Sequence, residues 1–342
     1  MGNLINVSGF EIDPDITRAR TLATEFYTEA PYFEMSREKI FARTWHFVGR
    51  EDEVAGLKPV TLLPGILDEP VLLARNGDSV SCLTNVCTHR GKILVEESCG
   101  QANLIRCGYH GRRFSLDGDF LSMPEFEGVA DFPSGDDDLK RIPFASREGF
   151  LFTSLEPSAP FDLFADGFPD VDLQGLKLTA TREYEINAHW ALYCENYLEG
   201  FHIPYVHKAL NEVVDYGTYT TETFRYSSMQ TGFDDAGEVA ARYLFIFPNL
   251  MFNFYPWGIS VNMVRPMTHE KTIVEFLTYV RDGASIDGGA GGDLHGVELE
   301  DEAVVESVQR GIRSRYYSHG RYSPTRETGT HHFHRLIAEF MK

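Results

Sequence analysis

Cysteine is scarce in this chain: five residues in 342, at Cys82, Cys87, Cys99, Cys107 and Cys194. An odd, sparse set in a long chain is not a disulfide framework, so a reducing, cytoplasmic setting is expected. No apolar run reaches the ~18 residues that a membrane-spanning helix needs. Residues 1–15 also lack the basic and apolar regions of a signal peptide. Positive charge is short: 31 Lys and Arg against 51 Asp and Glu leave a formal net charge of −20. Such a surface repels nucleic acid and anionic membranes, and neither is expected as a partner. No Gly-x-Gly-x-x-Gly lies between a strand and a helix, and the Gly-rich run at 288–292 lacks that context. A nicotinamide-binding fingerprint is therefore absent. Aromatics, by contrast, are plentiful, with 25 Phe and 16 Tyr in a chain that is 43% apolar. That is enough for a real core in one large domain or two ordinary ones.

The text changes along the chain. Residues 14–44 read as helical. From about 45 to 155, short β-rich runs at 59–63, 70–74 and 81–86 are separated by Gly, Asn and Asp, as in Arg75-Asn76-Gly77-Asp78. This predicts a small all-β unit built from hairpins. Glu156-Pro157-Ser158-Ala159-Pro160 reads as a linker. Beyond it, a helix over 188–200 interrupted by Pro204 precedes strands at 240–256, 259–265 and 272–281. A loop is expected over 281–292, then a helix from near Glu298 and a final helix to the C-terminus.

Inside the β unit, Cys87-Thr88-His89 is followed after seventeen residues by Cys107-Gly108-Tyr109-His110. Each half offers one thiolate and one imidazole from a short loop. A Rieske [2Fe–2S] centre needs this set, with two Cys on one iron and two His on the other. A Cys2His2 zinc site uses the same ligand types, but its usual order is two Cys and then two His.

A second constellation lies at Glu195-Asn196-Tyr197-Leu198-Glu199-Gly200-Phe201-His202-Ile203-Pro204-Tyr205-Val206-His207. In a regular helix, His202 and His207 would point ~140° apart. Pro204 breaks that regularity and can swing His207 back toward His202. Far downstream, Glu300-Asp301-Glu302 offers a carboxylate near the start of the tail helix. Two His plus one carboxylate, with open positions, is the facial triad of non-haem Fe(II) oxygenases. The H-x4-H pair alone is a weak signal, and lone histidines are more often core or surface residues.

From Phe41 onward the chain resembles the Rieske non-haem iron oxygenases, in their catalytic α-subunit. The family pattern E-N-x-x-(D/E)-x-x-H-x4-H is matched at Glu195, Asn196, Glu199, His202 and His207. The third ligand, an Asp at the start of a late helix, falls best on Asp301, with Glu298, Glu300 and Asp293 as weaker candidates. The bridging acid falls on Glu199, and Asn196 is grouped with it as a catalytic position. Glu rather than Asp at 199, with the tail segments 308–311, 320–323 and 331–334, is closer to the choline, carnitine and betaine oxygenases. One departure is Arg112, where the family usually has Trp. It is expected to alter the cluster's surface and partner contact, not its ligands.

The resemblance implies an α+β chain: an all-β Rieske domain (45–155) inserted near the N-terminus of a helix-grip-like catalytic domain (156–342) with a central antiparallel sheet. Residues 1–44 would be a helical segment packing on the catalytic domain. It implies a [2Fe–2S] cluster on Cys87, His89, Cys107 and His110, and a mononuclear Fe(II) on His202, His207 and Asp301. In a homotrimer, the cluster of one subunit would sit beside the iron of the next, with His110 contacting the neighbour's Glu199. A separate NAD(P)H reductase would supply electrons for O2-dependent hydroxylation of a small quaternary or tertiary amine. Hydroxylation next to nitrogen would lead to N-dealkylation. Two alternatives remain open: an aromatic-ring hydroxylating dioxygenase α-subunit and a non-enzymatic Rieske electron carrier. Aromatics flank the iron motif from Trp190 to Tyr205 and again from Phe245 to Trp257. They are candidates for a cation cage or for plain core. His331, His332 and His334 read as part of a terminal helix docking on the core rather than a metal site.

Overall fold

The computed structural model describes residues 10–211, 217–234, 236–286 and 293–342. It contains two compact units, one of residues 42–158 and one of residues 1–41 with 159–342. Among the described residues, no helix is long and apolar enough to cross a membrane.

The 42–158 unit is all-β, in three small antiparallel sheets. One joins Leu57–Leu62, Glu69–Asn76 and Ser79–Thr84, its hairpin turning at Gly77 with φ +61°. A second places Phe150–Thr153 between His46–Arg50 and Phe144–Arg147. A third joins Ile105–Arg106, Arg113–Phe114 and Phe120–Ser122. Cys87 and Cys107 are buried in one apolar cluster with Leu72, Leu83, Ile105 and Phe114. The two cysteine loops are thus seated on a packed core rather than hung from its surface.

The other unit is built on a seven-stranded antiparallel sheet. Its order is Leu176–Ile186, Lys271–Arg281, Gly258–Thr268, Leu250–Tyr255, Val239–Ile246, Ser227–Phe233 and Thr220–Thr223. Six strands form a meander, and the earliest strand closes the far edge beside Lys271–Arg281. The final helix, Thr328–Met341, places Phe333 edge-on against Trp190, Phe245 and Phe247 at 5.5–5.9 Å. Phe41 packs on the other side of Trp190 at 5.0 Å.

Two expectations need correcting. The 14–44 stretch is not one helix but two short ones, Thr24–Thr28 and Ala30–Lys39, followed by a 3-10 turn. Pro31 lies in the first turn of the second helix, where its missing N–H costs nothing, and it forces the restart. The tail helix begins at Leu294, not near Glu298, and is N-capped by Asp293, whose carboxylate accepts from the Gly296 N–H. Of the loop expected over 281–292, residues 287–292 lie outside the described residues.

Candidate functional site

The two cysteine loops share one backbone pattern. The Cys87 N–H donates to the Lys92 carbonyl and the Gly91 N–H to the Cys87 carbonyl, both at 2.9 Å. In the second loop, the Cys107 N–H donates to the Arg112 carbonyl at 2.8 Å and the Gly111 N–H to the Cys107 carbonyl at 3.1 Å. Gly91 and Gly111 close these turns at φ +69° and +76°, a conformation that a side chain disfavours. The backbone N–H groups of His89 and Arg90 act on the Cys87 thiol, and those of Tyr109 and His110 on the Cys107 thiol, in each case favouring the thiolate. Burial pushes the Cys87 thiol up. At Cys107 burial acts the same way, but the Tyr109 N–H, Cys87 and the His110 N–H outweigh it and hold the thiol below its ordinary value. Burial, then His110, Arg90 and Arg112, push His89 down and favour its neutral, ligating form.

The cysteines are buried free thiols, whereas His110 is exposed and His89 half-exposed, their rings 4.8 Å apart. The donors on one zinc ion lie within roughly 3.8 Å of one another, given Zn–S and Zn–N distances of ~2.3 and ~2.0 Å. Among the described residues, the three-ligand group with all atoms within 4.8 Å is His202, His207 and Asp301, not any three of these four. The loops therefore fit a cofactor wider than one ion, with its thiolate side inward and its imidazole side toward solvent.

Arg112 does not alter the cluster's surface as expected. Its side chain is buried, stacked 4.8 Å from the Phe120 ring centroid and paired with Asp137 at 2.6 Å. The Asp137 carbonyl also accepts from Arg112 and from the Thr88 hydroxyl, so one residue ties both ligand loops. Asp137→Ala is expected to strand the buried guanidinium and destabilise this unit by about 3 kcal/mol. Chemical denaturation followed at the cluster's visible absorption checks this. A shift under about 0.5 kcal/mol would mean that the pair contributes little.

The second site grows from the end of helix Trp190–Tyr197. The chain leaves that helix at Leu198, and a new one-turn helix, Ile203–Val206, starts with His202 as its N-cap and ends with His207 as its C-cap. Pro204 therefore opens a short helix rather than breaking a long one. The change of direction comes earlier, between Leu198 and His202. His202 Nε2 and His207 Nε2 lie 3.1 Å apart, and Asp301 Oδ1 lies 3.0 Å from His207 Nε2 and 3.5 Å from His202 Nε2. For metal–ligand bonds of ~2.1 Å, such separations correspond to angles of about 90–115° at a shared ion, which one face of an iron centre accepts.

Each imidazole is turned inward by a carboxylate on its other nitrogen: Glu199 Oε1 lies 2.8 Å from His202 Nδ1, and Glu300 Oε2 lies 2.7 Å from His207 Nδ1. The other oxygen of Glu199 accepts the N–H groups of Phe201 and His202. The Asn196 amide donates to Asp301 Oδ1 at 2.6 Å. Burial disfavours a proton on His207, but Asp301 and Glu300 outweigh it and hold the imidazole above its ordinary value. The same field favours a divalent cation. Of the weaker ligand candidates, Asp293 is a helix cap, Glu300 orients His207, and Glu298 accepts from the Tyr193 hydroxyl at 2.7 Å. Glu195 lies off the site, accepting from Tyr27 at 2.8 Å, with His334 Nε2 3.0 Å away. His331 and His334 are engaged with the Asp13 carbonyl and the Tyr322 hydroxyl, consistent with a docked terminal helix.

Asp301, His202 and His207 line one cavity, together with Tyr193, Tyr197, Tyr219, Tyr243, Tyr255, Asn253, Asn262, Phe276 and Glu298. Tyr243 is its hub, with the rings of Tyr197, Tyr219 and Tyr255 at 6.1–6.5 Å. Tyr197 donates to Asn253 Oδ1 at 2.7 Å. Of the flanking aromatics, Phe252 and Phe254 face away and pack on Phe168, while Tyr205 is exposed. Tyr219, Tyr243, Asn262 and Phe276 were not singled out by the sequence. Strand alternation was the available signal for Tyr243, Asn262 and Phe276, whereas Tyr219 precedes its strand and had none.

Comparisons agree with this architecture. The Rieske [2Fe-2S] domain family matches residues 44–133, and the family of the ring hydroxylating alpha subunit (catalytic domain) matches residues 215–342. Choline monooxygenase, chloroplastic, of Arabidopsis thaliana is 31% identical over 97% of this chain and 86% of its own length. The carnitine monooxygenase oxygenase subunit of Escherichia coli (strain K12) is 28% identical over 95% and 94%. The crystal structure of a quaternary ammonium Rieske monooxygenase in complex with L-carnitine superposes with a TM-score of 0.78 at 26% identity, covering 98% of both chains. A Rieske unit joined to an antiparallel-sheet unit bearing two His and a carboxylate defines an oxygenase that pairs a [2Fe–2S] cluster with a mononuclear iron. The chain belongs to the α-subunit family of the Rieske non-haem iron oxygenases, and within it is similar to the choline and carnitine monooxygenases.

Proposed function

We propose that this oxygenase hydroxylates a small quaternary or tertiary amine, bound in the tyrosine-lined cavity beside His202, His207 and Asp301. The observation that carries the reading is the group of four tyrosines, Tyr243 with Tyr197, Tyr219 and Tyr255 around it, in the cavity that His202, His207 and Asp301 line. Ring faces attract a quaternary ammonium by ~0.5–2 kcal/mol per contact, and most strongly when water is excluded. The relatives' names, choline and carnitine monooxygenase, point to the same substrate class.

In this reading Cys87, His89, Cys107 and His110 hold the cluster, and His202, His207 and Asp301 hold the iron. When bound, the iron activates dioxygen and the cluster feeds it an electron. The chain's own residues keep the geometry. Glu199 and Glu300 hold the Nδ1 protons of the two histidines, so that Nε2 of each is a lone-pair donor. Asn196 fixes the Asp301 oxygen. The tyrosine faces hold the ammonium with its carbon substituents toward the ligands. Electrons come from a separate NAD(P)H-dependent reductase. A homotrimer would bring the exposed His110 of one subunit to Glu199 of the next. The free thiols suit a reducing, cytoplasmic compartment.

The test is NADH-dependent O2 consumption with a surrogate reductase, across choline, carnitine, glycine betaine, tertiary amines and simple arenes. Product formation coupled to O2 uptake with at least one amine is expected. Coupling with arenes alone would overturn the reading.

A further inference from the structure

Glu298 is 3% exposed and lines the cavity from the same helix that carries Asp301. Its Oε2 accepts from the Tyr193 hydroxyl at 2.7 Å, whereas its Oε1 is buried without a hydrogen-bond partner. Burial, with Asp301 and Glu302 adding to it against the Tyr193 hydrogen bond, pushes this carboxyl well above the usual range, so it either keeps a proton or meets a positive group that allows it to ionise. The other two acids lining the cavity are committed elsewhere, Asp301 to the histidine pair and Glu199 to His202. All 31 Lys and Arg residues of the chain are among the described residues, and none lines this cavity. No lysine or arginine is therefore available to Glu298 there, nor to a carboxylate on a substrate.

We propose that Glu298 is the counter-charge for the substrate's ammonium head, and that the cavity selects a net-cationic, choline-type quaternary ammonium over zwitterions such as carnitine or betaine. The proposal rests on the reading that a quaternary ammonium enters this cavity. A permanent monocation fills the place of the missing partner at Oε1. A zwitterion brings a carboxylate into a cavity already holding Glu298 and Asp301, with no Arg or Lys to receive it, and like charges at close range disfavour binding.

The experiment titrates anaerobic, iron-loaded holoenzyme with choline, carnitine, glycine betaine and 3,3-dimethyl-1-butanol, the uncharged isostere of choline, by calorimetry. The wild type is expected to bind choline tighter than all three others. Glu298→Gln is expected to weaken choline binding about thirtyfold or more and leave the isostere unchanged. KM for choline should rise more than kcat falls, with iron content and cluster absorption unaltered. Glu298→Asp, which keeps the charge, should retain a preference for choline over the isostere. The proposal is overturned if Glu298→Gln binds choline as the wild type does, or if the wild type prefers a zwitterion. Failure of the wild type to bind any of the three ammonium compounds would overturn the functional reading and this proposal together.

Discussion

Asp301→Ala is expected to release the mononuclear iron and abolish product formation, by about a thousandfold or more, while the cluster stays intact. Three side chains converge at this site, and Asp301 is the only carboxylate among them. Its Oδ1 is set by the Asn196 amide and stands 3.0 Å from His207 Nε2. Alanine leaves two neutral imidazoles, which bind a divalent ion far more weakly than two imidazoles and an anion. Glu298 cannot replace it, because it lies one helical turn back and is tied to Tyr193. Iron analysis should fall from about three to about two per chain, with the visible and EPR signals of the cluster unchanged. Three irons per chain in the variant would remove Asp301 from the ligand set.

Glu199→Gln is the second large effect, and it separates the two cofactors functionally without removing either. Glu199 spends one oxygen on His202 Nδ1 at 2.8 Å and the other on the Phe201 and His202 N–H groups. Glutamine has one acceptor oxygen, so it cannot serve both sets. Its NH2 faces either an N–H donor or the Nδ1 proton. Loss of such an orienting carboxylate typically costs ~10–100-fold in metal affinity or activity. A larger loss, roughly 100-fold or more in coupled turnover, is expected here if the same carboxylate also receives His110 across a subunit boundary. Cluster and iron content should remain normal, and reoxidation of the reduced cluster by O2 with substrate should slow in step with turnover. Unchanged turnover would refute the bridging role.

Local features were the most legible in the sequence. The two cysteine loops declare themselves because each packs its ligands, its turn and its glycine into six residues, 87–92 and 107–112. His202 and His207 were legible as a pair, although the reason for their convergence was misplaced. Two helix termini bring them together, not a kink at Pro204. Asp301, 94 residues beyond His207, was found through the resemblance rather than through its own surroundings. The helix phase holds a signal for it: Leu294, Glu298, Asp301 and Val305 recur at spacings of four, three and four, which places Asp301 on the inward face and Glu300 off it.

The cavity wall was the hardest part to read. Tyr243 pairs with Asn253 across adjacent strands, and alternation places Asn253 and Tyr255 on one face and Phe252 and Phe254 on the other. Both faces are buried here, so hydrophobicity does not reveal which one the iron helices cover. The place of Arg112 was misjudged for a related reason. An arginine beside a ligand loop reads as surface, and only the fold supplies the Asp137 partner and phenylalanine faces that allow its burial.

The most direct test is a single turnover. Protein carrying a reduced cluster and ferrous iron, freed of reductant and reductase, is mixed with O2 and choline and followed at the cluster's visible absorption, with product quantified after quenching. The account predicts rapid cluster oxidation that depends on the ammonium substrate and matches product in amount. Slow oxidation that is the same with and without any quaternary ammonium, and that leaves no product, would contradict it.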